Sequence, residues 1–288
     1  MRRLIRVVRI KFRRLALMVL LFQFALLREL RNLNYEFTYA TAFERDGGGA
    51  QLHSRVSTWA FAVASGATFN NTQIVKVDHG DSSEDWVGLW NDLIAFPTNR
   101  NTLLEGGFTS PPSRSVVSAL LDPWRVSRRG LVSINIRNPH YFADAFPEVT
   151  QDLRPALRRV FAHLSNTEVG WTAPDVGIHL RVQQPTDTSH DDSRLSNLPR
   201  IIEALGLEVA SKSVLVFVSP TGVIDQSGIP AHFKFCFDDA PTAIRKMVTV
   251  RNLVVGKSSM SYLAGLISEQ VVWCQDFWHP VMANWRRL

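Results

Sequence analysis

The 288-residue chain predicts an α/β protein: two Rossmann-like domains facing a cleft, preceded by a basic amphipathic N-terminal helix. Three observations lead there. Residues 35–77 read as strand, glycine turn, helix, strand. A second run of alternating strands and helices fills residues 176–274. A segment that is both basic and apolar stands ahead of them. At 45% hydrophobic and 20% charged residues, the composition is that of a globular chain with a sizeable core. The length suits one large domain or two of average size.

The first 34 residues form the N-terminal helix. Arg2, Arg6, Arg9 and Arg13 recur at helical spacing, and Ile5, Val8, Phe12 and Leu15 recur on another face. The apolar run Leu15 to Leu27 is shorter than the ~20 residues a spanning helix needs. No Ala-x-Ala-like site follows it, so a cleaved signal is disfavoured. Residues 1–31 are read as lying on a membrane surface. A short signal anchor and a helix packed on the protein's own body stay open. The segment also explains the net charge of +6. It holds nine of the 32 basic residues and one of the 26 acidic ones, leaving 23 against 25 in the remainder. A nucleic-acid partner is therefore not expected, because the body carries no basic excess.

The first domain, residues 35–168, opens with a strand over Tyr35–Phe43. Gly47-Gly48-Gly49 breaks it, and Gln51–Ser65 follows as a helix that buries Leu52, Val56, Trp59, Phe61 and Val63. Gly66 would stop this helix. Thr72–Val77 is expected as the next strand. Residues 97–130 hold four prolines and read as loops and short helices. Leu131–Arg137 alternates like a strand, and Asp152–Ser165 has a helical stripe of Leu153, Leu157, Val160, Phe161 and Leu164. A turn at Thr172-Ala173-Pro174 opens the second domain, residues 169–288. Its expected strands are Val176–Leu180, Val214–Ser219, Phe233–Phe237, Leu253–Val255 and Gln270–Cys274. Its helices are Leu195–Leu205, Ala240–Thr249 and Ser259–Ile267. The continuously apolar VLVFVS is typical of a parallel sheet covered on both faces. Cys236 and Cys274 read as buried free thiols, with a single disulfide as the alternative. No cysteine or histidine cluster has zinc spacing, so no metal is expected.

Candidate chemistry lies at the carboxyl ends of the expected strands. Gly48, Gly49 and Gln51 sit where glycines let backbone N–H groups approach an anion at a helix start. Neither a GxGxxG nor a Gly-Lys-Ser/Thr fingerprint is matched there, and a plain turn is the alternative. His179 and Arg181 end an apolar strand two residues apart, on one face. Arginine's planar fork suits a diphosphate, although a structural ion pair explains the pair as well. Lys257, Ser258, Ser259 and Ser261 converge at a strand-to-helix junction, where phosphate binding competes with ordinary N-capping. Asp187, His190, Asp191 and Asp192 form a polar loop, and Asp238-Asp239 precedes a helix.

In this order, three motifs resemble a known family. "GGGAQLHSRV" (47–56) is similar to the Gly-x-Gly-x-Gln-Leu-His segment of α1,6-fucosyltransferases. "VGIHLR" (176–181) resembles their Val-Gly-Val-His-x-Arg strand. "NLVVGKSSMSYLAGLIS" (252–268) resembles the strand–Ser-Ser–helix motif these enzymes share with rhizobial chitooligosaccharide fucosyltransferases and protein O-fucosyltransferases. The resemblance implies a GT-B fold and inverting transfer of a sugar, most simply fucose, from a GDP-sugar to a glycan or protein acceptor. It implies no cofactor and no metal. Arg181 would bind the donor diphosphate beside His179, as the catalytic pair. Lys257, Ser258 and Ser259 would hold the phosphates, and Asp238 or Asp239 the base. With the N-terminal helix, it implies a membrane-associated enzyme, in the Golgi of a eukaryote or on the cytoplasmic face of a bacterial inner membrane. The chain departs from the α1,6 pattern after Arg181, where Val182-Gln183-Gln184 stands for Arg-Thr-Asp. It departs from the O-fucosyltransferases at Ala50, where they carry Asn. A non-catalytic nucleotide- or glycan-binding relative and an unrelated membrane-tethered α/β protein remain as alternatives.

Overall fold

The structure is a computed structural model. It describes residues 15, 37–41, 46–65, 68–78, 84–93, 132–136, 140–165, 170–181, 198–206, 212–218 and 229–288. The N-terminal helix, apart from Leu15, lies outside the described residues, as do Gly66, the proline-rich segment 97–130 and the acidic loop at 187–192. Among the described residues no helix is long and apolar enough to cross a membrane. The chain divides into two compact units: residues 1–91 with 95–153, and 92–94 with 154–288.

The first unit is built on a parallel three-stranded sheet. Strand β1 (Phe37–Thr41) lies between β2 (Thr68–Asn70) and β3 (Val132–Ile136). Helix α1 (Gly48–Ser65) buries Leu52, Val56 and Ala60, with Trp59 half-buried. Two further helices, α2 (Glu84–Asp92) and α3 (His140–Ala145), were not legible in the sequence. Ser57 on α1 accepts the Ala143 backbone N–H of α3 at 3.0 Å.

The strand expected over Thr72–Val77 is absent, and β2 lies just before it. Ile74 and Val77 are buried, but Val75 and Lys76 between them are both exposed, so the two apolar residues are three apart and the period of two that a strand requires is not kept. Side chains satisfy the backbone instead of a neighbouring strand. Asn91 Oδ1 accepts from Ile74 N at 2.7 Å and Asn91 Nδ2 donates to Ile74 O at 2.8 Å. Gln51 Nε2 donates to Lys76 O, and Arg55 Nε to Thr72 O. A segment whose buried backbone groups are paired this way has no need of a ladder.

The second unit holds six parallel strands: β4 (Val176–His179), β5 (Val214–Phe217), β6 (Phe233–Cys236), β7 (Asn252–Val255), β8 (Val271–Cys274) and the two-residue β9 (Arg286–Arg287). Their order across the sheet is β6-β5-β4-β7-β8-β9. Val176, Ile178 and Leu180 point to one face, where Leu198, Ile201 and Leu205 of helix α5 (Leu198–Leu205) complete a core with Val214, Val216 and Val254. Helix α5 is described from Leu198, and the expected start at Leu195 lies outside the described residues. Its start puts Pro199 in the first turn, where the missing N–H costs nothing.

Helix α4 (Pro147–Val160) begins five residues earlier than the sequence pattern, with Pro147 at its first position. Its buried face also differs. Leu157, and Phe161 and Leu164 just beyond it, are buried as expected, but Leu153 and Val160 are only half-buried, and Arg154 is buried at 2% exposure. Arg154 reaches the last turn of α7 (Ser259–Ile267). It donates to Leu266 O at 2.9 Å, Gly265 O at 3.2 Å, Ser268 O at 3.0 Å and Asn284 Oδ1 at 2.7 Å. Arg158 adds Ile267 O at 3.2 Å and Ser268 O at 2.6 Å. Two guanidinium groups thus satisfy the orphan carbonyls of a helix C-terminus and oppose its dipole. Burial pulls the Arg154 pKa down from 12.5 to about 10, so it stays charged at neutral pH. The boundary between the compact units falls inside α4, just before Arg154. We expect Arg154→Ala to lower stability by about 2–4 kcal/mol, since the Gly265 and Leu266 carbonyls lose the guanidinium donor that reaches them. Urea denaturation checks this, and a loss under about 0.5 kcal/mol would contradict the capping role.

Candidate active site at the sheet switch point

Numbered along the chain, the second sheet has strand order 3-2-1-4-5-6. From β4 the chain steps outward to β5 and β6, then crosses back to β7 and steps the other way. In doubly wound sheets ligands bind where the direction reverses, beyond the carboxyl ends of the two central strands. Here those strands are β4 and β7, paired with Ile178 opposite Val254. His179-Leu180-Arg181 ends one, and Gly256-Lys257-Ser258-Ser259 follows the other.

The two ends touch. A Cβ on Gly256 would lie 2.5 Å from His179 O and 2.8 Å from His179 Nδ1, so only glycine fits. The His179 side chain is buried at 6% exposure, and among the described residues its Nδ1 has no hydrogen-bond partner. Burial, reinforced by the Arg181 charge, pushes its pKa down to about 4, and the imidazole is neutral at neutral pH. A buried, unpaired ring nitrogen is costly for stability alone. Arg181 leaves on the same side of the strand, half-buried, with its guanidinium carbon 5.8 Å from the Trp278 ring centroid.

The β7–α7 turn divides its hydroxyls among different tasks. Ser258 N-caps α7, its Oγ accepting from Met260 N at 3.3 Å. Ser261 is fully buried and donates to Gly256 O and Ser258 O, so its hydroxyl holds the turn closed. Ser259 Oγ lies 2.9 Å from His279 Nε2. Lys257 is half-buried beside them. The start of α7 therefore presents backbone donors, a lysine and a positioned serine next to His179 and Arg181. Such a set favours an anion with several oxygens.

Other expected site residues stand elsewhere. Gly48 opens α1 in the first unit, where a Cβ would lie 2.2 Å from the Trp90 indole; glycine is required there by packing. Gly49 is buried, and Gln51, 1% exposed, donates to Asp46 O at 2.8 Å and Lys76 O at 2.7 Å, closing the turn from within. Asp238 follows β6, two strands from β4. Burial pushes its carboxyl pKa up, but hydrogen bonds from Cys236 (3.0 Å) and Lys246 (2.7 Å), with the Lys246 charge, hold it below the ordinary value. Asp239 N-caps helix α6 (Ala240–Thr249), accepting from Thr242 N and Thr242 Oγ1 at 2.8 Å each. Both cysteines are free and buried, and burial pushes each thiol up to about 12, so neither is a ready nucleophile.

Trp278 and His279 escaped the sequence reading. They belong to the segment 275–280 after β8, and the available signal was the aromatic run Phe277-Trp278-His279 directly past a strand.

Neither a family model nor a curated protein sequence matches the chain. Among solved structures it is similar to E. coli heptosyltransferase WaaC with ADP-2-deoxy-2-fluoro heptose, at 10% identity and TM-score 0.42, over 88% of this chain and 92% of that one. It is similar to fucosyltransferase NodZ from Bradyrhizobium at 17% identity and TM-score 0.43, over 82% and 94%. A point variant of Arabidopsis thaliana FUT1 in complex with GDP matches at 9% identity and TM-score 0.41, over 88% and 73%. Likeness at this level leaves the functional reading to the chemistry of the site.

Two outcomes are expected. Gly256→Ala forces His179 and the β7 turn apart and costs about 1–3 kcal/mol; an unchanged urea midpoint would contradict the close approach. The second concerns pH. The unfolded chain protonates His179 near its ordinary pKa of about 6.5, whereas the folded chain resists until about pH 4. Stability from this group is fully present above pH 6.5 and is lost as pH falls toward 4. His179→Gln should therefore show a shallower loss of unfolding free energy between pH 6.5 and 4 than the parent chain.

Proposed function

We propose that the chain is a fucosyltransferase-like glycosyltransferase that moves a sugar from a GDP-sugar to a glycan or protein hydroxyl, with inversion and without a metal ion or cofactor. The observation that carries this reading is the meeting of His179-x-Arg181 with the Gly-Lys-Ser-Ser turn at the reversal point of a doubly wound sheet. It puts into contact two of the three motifs on which the sequence resemblance rests.

In the reaction, the bond between the anomeric carbon and the diphosphate oxygen breaks, and its electron pair moves onto GDP. An acceptor hydroxyl bonds to that carbon from the opposite face and gives up its proton to solvent water. Arg181, Lys257, the Ser259 hydroxyl and the first N–H groups of α7 meet the charge that grows on the leaving diphosphate. Arg181 can engage it bidentately. Neutral His179 keeps a further positive charge away from the reacting carbon and offers an uncharged ring edge. Asp238 belongs to the nucleotide side. A GT-B arrangement, the acceptor side in the first domain, and attachment to a membrane surface through residues 1–31 complete the proposal. Placement in the Golgi or on the cytoplasmic face of a bacterial inner membrane follows from that attachment.

A second reading is a relative that binds the nucleotide without turnover. It is favoured by Asp238 and Asp239, both engaged by the protein's own donors. Hydrolysis or transfer of a GDP-sugar above background would overturn it.

Millimolar GDP should raise the melting temperature by a few degrees, and Arg181→Ala should remove the shift. No shift with GDP, ADP or UDP would overturn the proposed donor site.

A further inference from the structure

The segment that follows β8 reaches both halves of the switch point. Trp278 lies beneath the Arg181 guanidinium, from the end of β4. The next residue, His279, lies 2.9 Å from Ser259 Oγ, at the start of α7. The contacts form a line: Arg181 to the Trp278 ring at 5.8 Å, Trp278 to His279 at 6.1 Å between ring centroids, and His279 to Ser259 at 2.9 Å. The segment is firmly seated. Tyr262, one turn after Ser259 on the same face of α7, stacks near His279 with centroids 4.5 Å apart and donates its hydroxyl to Pro280 O at 2.9 Å. Phe277 packs on both Tyr262 and His279. His279 itself is only 4% exposed.

A half-buried arginine has several rotamers, and an aromatic face selects among them. A serine at a helix start has a rotatable hydroxyl. An imidazole N–H that donates to Ser259 Oγ leaves the hydroxyl hydrogen for an outside acceptor. We infer that residues 275–280 form a third wall of the diphosphate site, in which Trp278 and His279 are positioning residues that hold Arg181 and Ser259 in the geometry that receives the phosphates. This rests on the donor-site reading given above, and it assigns a role to residues outside the three motifs.

The test measures dissociation constants for GDP and inorganic pyrophosphate by titration calorimetry on the full chain, with melting temperatures alongside. Trp278→Leu keeps bulk but loses the ring face, whereas Trp278→Phe keeps a ring. His279→Gln keeps a donor near the Nε2 position, whereas His279→Asn ends short of it. We expect Trp278→Leu to weaken binding about two- to fivefold and His279→Asn about two- to tenfold, with Phe and Gln restoring most of the loss. In a Ser259→Ala background, His279→Asn should cost nothing further. A purely structural role would move the melting temperature equally within each pair and would not distinguish Asn from Gln in binding. If the parent chain binds GDP while the Leu and Asn variants match it, the positioning role is overturned and the donor site stands. If the parent chain binds neither probe, the donor site and this inference fall together.

Discussion

The contact between Gly256 and His179 is the constraint on which the second unit depends. Two parallel central strands end side by side, and the chain must leave both at the same level. Because Gly256 has no side chain, the β7 turn passes against the His179 carbonyl and ring. That approach sets the turn carrying Lys257, Ser258 and Ser259 against the strand end that carries His179 and Arg181. A larger residue would push the two strand ends apart.

Helix α7 shows how the protein protects that arrangement. Every residue from Ser261 to Ile267 is buried, as is Ser268 beyond it, so the carboxyl end of the helix cannot turn to water for satisfaction. Its carboxyl end is held by Arg154 and Arg158, two cations that supply donors and oppose the dipole together. Its amino end is treated differently. Ser258 takes one backbone donor and Ser261 folds the turn inward, so side chains of the turn itself organise this end. A helix anchored at its carboxyl end is a stable way to present backbone N–H groups at the other end to an anion.

The polar side chains sort by the same physics. Gln51 and Asn91 are spent on backbone that would otherwise need a strand, and Asp239 on a helix start. Asp238 is held by Cys236 and Lys246, and Lys246 lies 5.0 Å from the Trp171 ring. By contrast, the His179 Nδ1 is buried with no partner among the described residues.

The sequence by itself determined the elements whose signals are local. The apolar strands at 176–180, 214–219, 253–255 and 270–274, and the helices 240–249 and 259–267, all follow from short-range periodicity and from Pro, Gly and Ser at their ends. The same-side placement of His179 and Arg181 follows from strand alternation alone. Tertiary structure decided the rest, because the deciding groups are distant in sequence. The six-strand order, which turns β4 and β7 into neighbours, is one case. Others are the loss of the strand at 72–77 to Asn91, Gln51 and Arg55, and the burial of Arg154 against carbonyls more than a hundred positions away. Gly48 looked like a phosphate-loop glycine, but the ring of Trp90 is what requires it. Trp278 and His279 complete the point. Their chemistry was visible in the sequence, but their partners, Arg181 and Ser259, become neighbours only when parallel strands bring three separate chain segments to one end of the sheet.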